Sequence, residues 1–180
     1  LAHCSVCGEA TEVLLPSGIG QRFPNLAART CYKKCACERA KDEAEQALHV
    51  KHEHEEKVRR LRERCFSGNL AMKKLTFAES TQENSAIDVC RKFAKEWDNA
   101  KADNLGMLLW GDVGTGKSYM AASIANALLE QEVSVRMLNL SDVMNATFES
   151  RGELLREVRQ CALLIIDDYG MERDTEYGNE

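Results

Sequence analysis

No run of about eighteen apolar residues occurs anywhere in the 180-residue chain, which excludes a membrane-spanning helix. The opening residues Leu1-Ala2-His3-Cys4 have neither the basic region nor the apolar region of a secretory signal, so a cytoplasmic protein is expected. Residue 1 is Leu rather than Met, which leaves the true start open. An excess of positive charge is also lacking. The net charge of −5 argues against a surface coated for nucleic-acid binding, though not against a local basic patch. Neither internal repeats nor low-complexity runs are found, and the 2 prolines both fall in the first 37 residues. What is present, 44% apolar and 29% charged residues, is the balance of a soluble globular protein with room for one ordinary domain or two small ones.

The 8 cysteines are unevenly spread. Cys4, Cys7, Cys31, Cys35 and Cys37 crowd the N-terminus, whereas Cys65, Cys90 and Cys161 stand singly. With no secretory signal, clustered thiols read as metal ligands in preference to disulfides. Cys4-Ser5-Val6-Cys7-Gly8 has the form of a zinc knuckle, two thiolates on one tight turn. Cys31, Cys35 and Cys37 then compete for the two remaining places of a tetrahedral Zn²⁺ site. His3 flanks the cluster and reads as a surface residue.

From Glu38 to Arg64 the chain is free of Gly and Pro and rich in Ala, Glu, Lys, Arg and Gln, which predicts a long helix with a thin apolar stripe. His49, His52 and His54 on it are expected to be solvated. Its end carries Lys57, Arg59, Arg60, Arg62 and Arg64. Such a run reads first as a solvated face and second as a contact for single-stranded DNA, and no aromatic residue is interleaved to stack on bases. Ser67-Gly68-Asn69 breaks the helix. A second helix is predicted over Asn84–Ala100. Then follow a strand (Leu105–Trp110), a loop (Gly111–Gly116), a helix (Lys117–Gln131) and a strand (Val133–Leu140). A helix capped by Ser141-Asp142 and running to Gln160, and an apolar strand (Ala162–Ile166) ending in Asp167-Asp168, complete the series. Apolar strands alternating with helices predict an α/β fold, a parallel sheet covered on both faces. The chain therefore divides, by expectation, into a zinc-binding module (1–37), a charged helical linker (38–66) and a nucleotide-binding core (67–180).

Gly111-Asp112-Val113-Gly114-Thr115-Gly116-Lys117-Ser118 satisfies the P-loop pattern at every fixed position, between a predicted strand and a predicted helix. Glycines let backbone N–H groups curl around phosphate, and the helix N-terminus aims its positive end at it. Lys117 is assigned to the β- and γ-phosphates of ATP and the Ser118 hydroxyl to Mg²⁺, with Tyr119 beside them as a further cofactor contact. Asp167, at the carboxyl end of an apolar strand, is the expected Mg²⁺ partner of Walker B type. Asp168 follows as candidate base, and Glu172 competes for that role.

These motifs carry a resemblance. Leu108 through Ser118, Ala125-Asn126-Ala127-Leu128, and Leu164-Ile165-Ile166-Asp167-Asp168-Tyr169-Gly170-Met171-Glu172-Arg173 resemble the AAA+ ATPases of the DnaC/DnaI helicase-loader and IstB-like group. Lys74-Leu75-Thr76-Phe77 resembles the Phe-bearing segment preceding their ATPase core, and the cysteine region is similar to their N-terminal zinc region. That resemblance favours Cys35 and Cys37, a C-x-C followed by Glu38, over Cys31 with Cys35. It departs at Tyr169, where the family usually has Leu. It also implies further strands, a sensor residue and an arginine finger that do not occur before Glu180, so the chain is expected to be truncated, to bind ATP weakly and to hydrolyse it negligibly.

The function the resemblance implies is a helicase loader, an ATP-binding replication accessory protein whose partner is a DnaB-type replicative helicase. Single-stranded DNA and self-association through the AAA+ core are further expected contacts, and no membrane contact is expected. A transposition helper ATPase and an inert zinc-and-helix interaction protein are the rival readings. The cysteine region favours the loader over the transposition helper.

Overall fold

A computed structural model describes residues 1–15, 30–67, 69–79, 85–140, 143 and 147–168. The chain divides into two compact units, Leu1–Glu53 and His54–Glu180. The first holds a short antiparallel pair, β1 (Glu12–Leu14) and β2 (Thr30–Tyr32), with Val13 opposite Cys31. Helix α1 (Ala36–Cys65) starts in this unit, and its residues from His54 onward count with the second. Only Val58 and Cys65 of its 30 residues are buried. Propensity and close ion pairs therefore support the rest, among them Arg59 with Glu56 (2.8 Å) and Glu63 (3.4 Å) and His49 with Glu53 (3.3 Å).

The second unit is built around α4 (Lys117–Glu130). Nine of its residues are buried, Met120 to Asn126 without a break plus Leu128 and Leu129, so it has no solvent stripe and sits inside the core. Against it pack Ile87, Cys90 and Ala94 of α2 (Ser85–Lys95), Trp97 of α3 (Trp97–Ala102), Phe66, and Val135 of β3 (Val135–Asn139). Helix α5 (Phe148–Gln160) leads into β4 (Leu163–Asp167), which pairs parallel with β3 in the register Val135↔Leu163 to Asn139↔Asp167.

Polar groups do the locking. Asn126, 2% exposed, donates from Nδ2 to the carbonyls of Met72 (2.9 Å), Leu75 (2.8 Å) and Ala122 (3.1 Å), and its Oδ1 accepts from Arg62 Nε (3.0 Å). One side chain thus fastens α1 and the 3-10 turn Leu70–Lys74 onto α4. Glu132, in the left-handed region at φ 60, faces His54 Nδ1 (2.8 Å) and Lys57. Arg136 of β3 donates to the carbonyls of Arg64 and Cys65 and to Ser67 Oγ, and its Nε lies 3.1 Å from Glu157. Cys65 and Cys90 act as small apolar groups, and burial pushes both thiols up, Cys65 to about 12.

Several expectations are corrected. Leu105–Trp110 forms no ladder with any described strand, because β3 and β4 pair with each other and no third described strand lies beside it. It keeps a strand's alternation, with Met107 and Leu109 packed on the core and Leu108 and Trp110 exposed (83% and 85%). β4 is not covered on both faces among the described residues. Leu163 and Ile165 face the core while Leu164 and Ile166 remain 37% and 47% exposed. The helix expected over Asn84–Ala100 is two helices, interrupted at Glu96 (φ −100, ψ 28), where Trp97 meets Phe93 edge-on at 5.9 Å. His54 keeps 41% of its side chain exposed but also pairs with Glu132, because α1 passes the end of α4 there. Lys57, Arg59, Arg60 and Arg64 of the basic run are exposed, as expected of a solvated face, while Arg62 is half-buried against Glu130. Asn84, Gly68 and the Ser141-Asp142 cap lie outside the described residues. No described helix is long and apolar enough to cross a membrane.

Replacing Asn126 by Ala removes the side-chain partner of the Leu75 carbonyl and of Arg62 Nε and is expected to lower unfolding free energy by about 1–3 kcal/mol in urea titrations. Lys57 first, then His54, hold the Glu132 carboxyl below its usual value of 4.5. A lowered carboxylate stabilises the fold above its unfolded pKa, and that contribution is lost as pH falls through the lower folded value. Glu132→Gln should therefore lower the melting temperature near about pH 7 and leave it unchanged near about pH 2.

Candidate nucleotide and metal sites

The loop between Trp110 and α4 carries three glycines at positive φ, Gly111 (140), Gly114 (84) and Gly116 (84). At Gly114 and Gly116 a side chain would force the left-handed backbone, although there is open space around both. The requirement is thus conformational, a curl of N–H groups that only glycine adopts freely. Thr115 Oγ1 donates to Asp112 O (2.9 Å) and closes the turn. Lys117 Nζ folds back to donate to Gly111 O (2.9 Å) and Asp112 O (2.8 Å). Gly116 is the N-cap residue of α4 and makes no side-chain cap bond, so the first N–H groups of the helix are open to an anion. Val113 at the loop tip is 99% exposed.

Ser118, in the first turn of α4, donates from Oγ to Asp167 Oδ1 (2.9 Å). That bond brings the P-loop hydroxyl and the carboxylate ending β4 together, although 49 positions separate them in the chain. The two oxygens form a hard donor pair of the kind Mg²⁺ takes. Asp168 follows with its backbone in the left-handed region (φ 53), and its Oδ2 accepts from Asn139 Nδ2 (2.8 Å). Asn139 was not singled out in the sequence, although it is the one polar residue at the carboxyl end of the apolar run that becomes β3. The parallel register sets it directly opposite Asp167. Ser118, Asn139, Asp167 and Asp168 line a cleft of about 670 Å³, together with Phe66 and Met72. The Tyr119 hydroxyl points elsewhere and donates to Thr76 O. There it anchors the segment whose Phe77 ring lies 5.7 Å beneath the Arg91 guanidinium. Tyr169, Glu172 and Arg173 lie outside the described residues.

In the first unit, Cys4 and Cys7 sit on one turn, closed by Gly8 N to Cys4 O (2.9 Å) with Gly8 at φ 73, and by Cys4 N to Glu9 O (2.8 Å). Cys35 and Cys37 lie at the start of α1. The four Sγ atoms lie within 4.8 Å of one another, with Cys35–Cys37 at 3.1 Å and Cys4–Cys37 at 3.5 Å. Tetrahedral Zn–S bonds of about 2.3 Å require S···S edges of about 3.8 Å, so the donor set suits Zn²⁺ in both type and spacing. Cys31 is exposed on β2 and outside this cluster, and His3 bridges only to Ala10 through the main chain. The thiols titrate unequally. Backbone N–H groups of Cys7 and Val6 lower Cys4 to about 6, those of Glu9 and Cys37 lower Cys7, and the hydrogen bond it shares with Cys35 raises Cys37 to about 12. Metal binding to such a site displaces thiol protons, so its affinity falls as the pH is lowered.

Purified protein is expected to carry about one zinc per chain. Elemental analysis should find it retained in Cys31→Ser and lost in Cys37→Ser, and the reverse order would move the site to Cys31.

Residues 43–179 match the family described as "Protein of unknown function (DUF815)". The replicative helicase loader DnaC of Escherichia coli (strain K12) is 29% identical over 127 residues, covering 67% of this chain and 48% of that protein. The replicative helicase loader DnaI of Bacillus subtilis (strain 168) is 31% identical over 84 residues, 44% of this chain and 27% of that one. An uncharacterized protein of E. coli K12, YdaV, is 37% identical over 71 residues, 36% of this chain and 29% of that one. The chain thus spans about half the length, or less, of these curated relatives. With a P-loop meeting an acid-tipped parallel strand, and with a match running through both, the chain belongs to this DUF815 family and is related to the DnaC/DnaI helicase loaders.

Proposed function

We propose that this chain is the ATP-binding part of a helicase loader, a replication accessory protein that engages a DnaB-type replicative helicase and assists its placement on DNA. The observation that carries the reading is the Ser118–Asp167 hydrogen bond, which joins the P-loop helix to the acidic end of β4 as phosphoryl chemistry requires. The names of the two related loaders supply the biological direction.

In this reading the backbone N–H groups of Gly114, Thr115 and Gly116 cradle the phosphates. Lys117 exchanges its loop carbonyls for β- and γ-phosphate oxygens, and its cationic hydrogen bonds to phosphate are the stronger kind. Ser118 and Asp167 would hold Mg²⁺ with their paired oxygens. Bound Mg²⁺ supplies neutralisation of the charge on the β- and γ-oxygens. Asp168 orients the attacking water, and Asn139 aims its carboxylate by holding one of the two oxygens. Nucleotide acts as a switch rather than as fuel for fast turnover. The four-cysteine region, organised around Zn²⁺, serves as the module that contacts the helicase. The core provides the surface for self-association.

Lys117→Ala is expected to abolish ATP binding in a fluorescent-nucleotide titration, and unchanged affinity would refute the phosphate assignment. Asn139→Ala should keep ATP binding and, in the complete protein, lower phosphate release by about tenfold or more, the scale of a misaligned proton acceptor. A pull-down with the complete protein should recover a replicative helicase. Recovery of a transposase in its place overturns the loader reading.

A further inference from the structure

Glu9 joins the two halves of the cysteine cluster, its main-chain N–H facing the Cys7 sulfur and its carboxylate facing the segment of Cys35 and Cys37. Its main-chain carbonyl accepts Cys4 N–H (2.8 Å), closing the turn that presents Cys4 and Cys7. Its side chain reaches the other half, where Oε2 accepts the N–H of Ala36, the residue between Cys35 and Cys37 and the first of α1. Oε1 lies 3.4 Å from Lys33 Nζ and 3.5 Å from Arg39 NH2, so two cations steady the carboxylate. Residue 36 is also where a helix needs an outside partner, because the first N–H groups of α1 have no carbonyl in their own helix and the dipole there favours an anion. Among the described residues no other side chain bonds the Ala36 N–H. The bond from Arg39 N to Cys35 O (3.0 Å) is the ordinary first turn of the helix and does not engage the Ala36 N–H.

We infer that Glu9 is a positioning residue of the metal site, holding the Cys35–Ala36–Cys37 segment in register with the Cys4–Cys7 turn through the Ala36 N–H. It is to the peptide between two ligands what an outer-shell carboxylate is to a ligating imidazole: a group that fixes the ligands' direction without joining the coordination sphere. This rests on the reading of Cys4, Cys7, Cys35 and Cys37 as a Zn²⁺ site.

The test compares wild type, Glu9→Ala and Glu9→Gln in the full chain. Zinc affinity is read by competition with a chromophoric chelator, and geometry by the absorption bands of the protein saturated with Co²⁺. Glu9→Ala should weaken zinc by about 10–100-fold, the usual scale for losing an outer-shell partner. At saturation its thiolate-to-cobalt and d–d bands should differ from wild type, because the Cys35–Cys37 half no longer sits in register. Glu9→Gln keeps an oxygen for the Ala36 N–H and should recover most of the affinity and the wild-type bands. Three results overturn the proposal: wild-type affinity in Glu9→Ala, weakened affinity with unaltered bands (mere loss of fold stability), or a Gln variant as impaired as Ala. If wild type holds no zinc, the metal reading itself fails and takes the proposal with it.

Discussion

A buried amide with all its hydrogen bonds made is what the second unit depends on. Asn126 lies on the helix that also carries Lys117 and Ser118, and it spends both amide hydrogens on main-chain carbonyls and its oxygen on Arg62. An interior amide is tolerable only when so satisfied, and once satisfied it permits one arrangement of its partners. The turn at Leu70–Lys74 therefore has one seat on α4, and Thr76, next along, comes within reach of Tyr119. The first turn of α4 is gripped on that side by Tyr119 and on the other by the bond from Ser118 to Asp167.

Around that fixed helix the chemistry is arranged by strand ends. Parallel pairing of β3 with β4 puts Asn139 and Asp167 at the same level, and the left-handed turn at Asp168 directs the second carboxylate back toward Asn139. A non-glycine residue in that region is uncommon, and such conformations cluster where a side chain has to be aimed. In the first unit the same economy appears with sulfur: one tight turn and a helix start converge four thiols, while β1 and β2 contribute only the scaffold.

Much of this was legible beforehand because it rests on local rules. Glycine at 111, 114 and 116 announces backbone that other residues avoid, and Gly-Lys-Ser opening an Ala-rich segment announces a helix start facing an anion. Glu38–Arg64, free of Gly and Pro, is helical over nearly that span, extended to Ala36–Cys65. Other features depend on partners distant in sequence. Leu105–Trp110 has the composition and alternation of a strand, but strand character is completed by a neighbour's hydrogen bonds. The helix broken at Glu96 has no Gly or Pro to mark the interruption. The partners of His54 and Arg62 were hidden because the acids that meet them, Glu132 and Glu130, lie 78 and 68 positions away.

The sequence by itself determined the kinds of chemistry available: a phosphate-shaped loop, an acid at a strand end, and two pairs of thiols competing with a fifth cysteine. These follow from residue type and spacing over a few positions, where backbone preference leaves little choice. Only the tertiary structure decided which of those groups meet. It brought Ser118 to Asp167, gave Asp168 a partner in Asn139, left Cys31 out of the cluster, and placed the Glu9 carboxylate on the peptide between Cys35 and Cys37. Each of those pairings spans between about twenty-five and fifty residues, and side chains that far apart are brought together by packing and strand register, which no local pattern encodes.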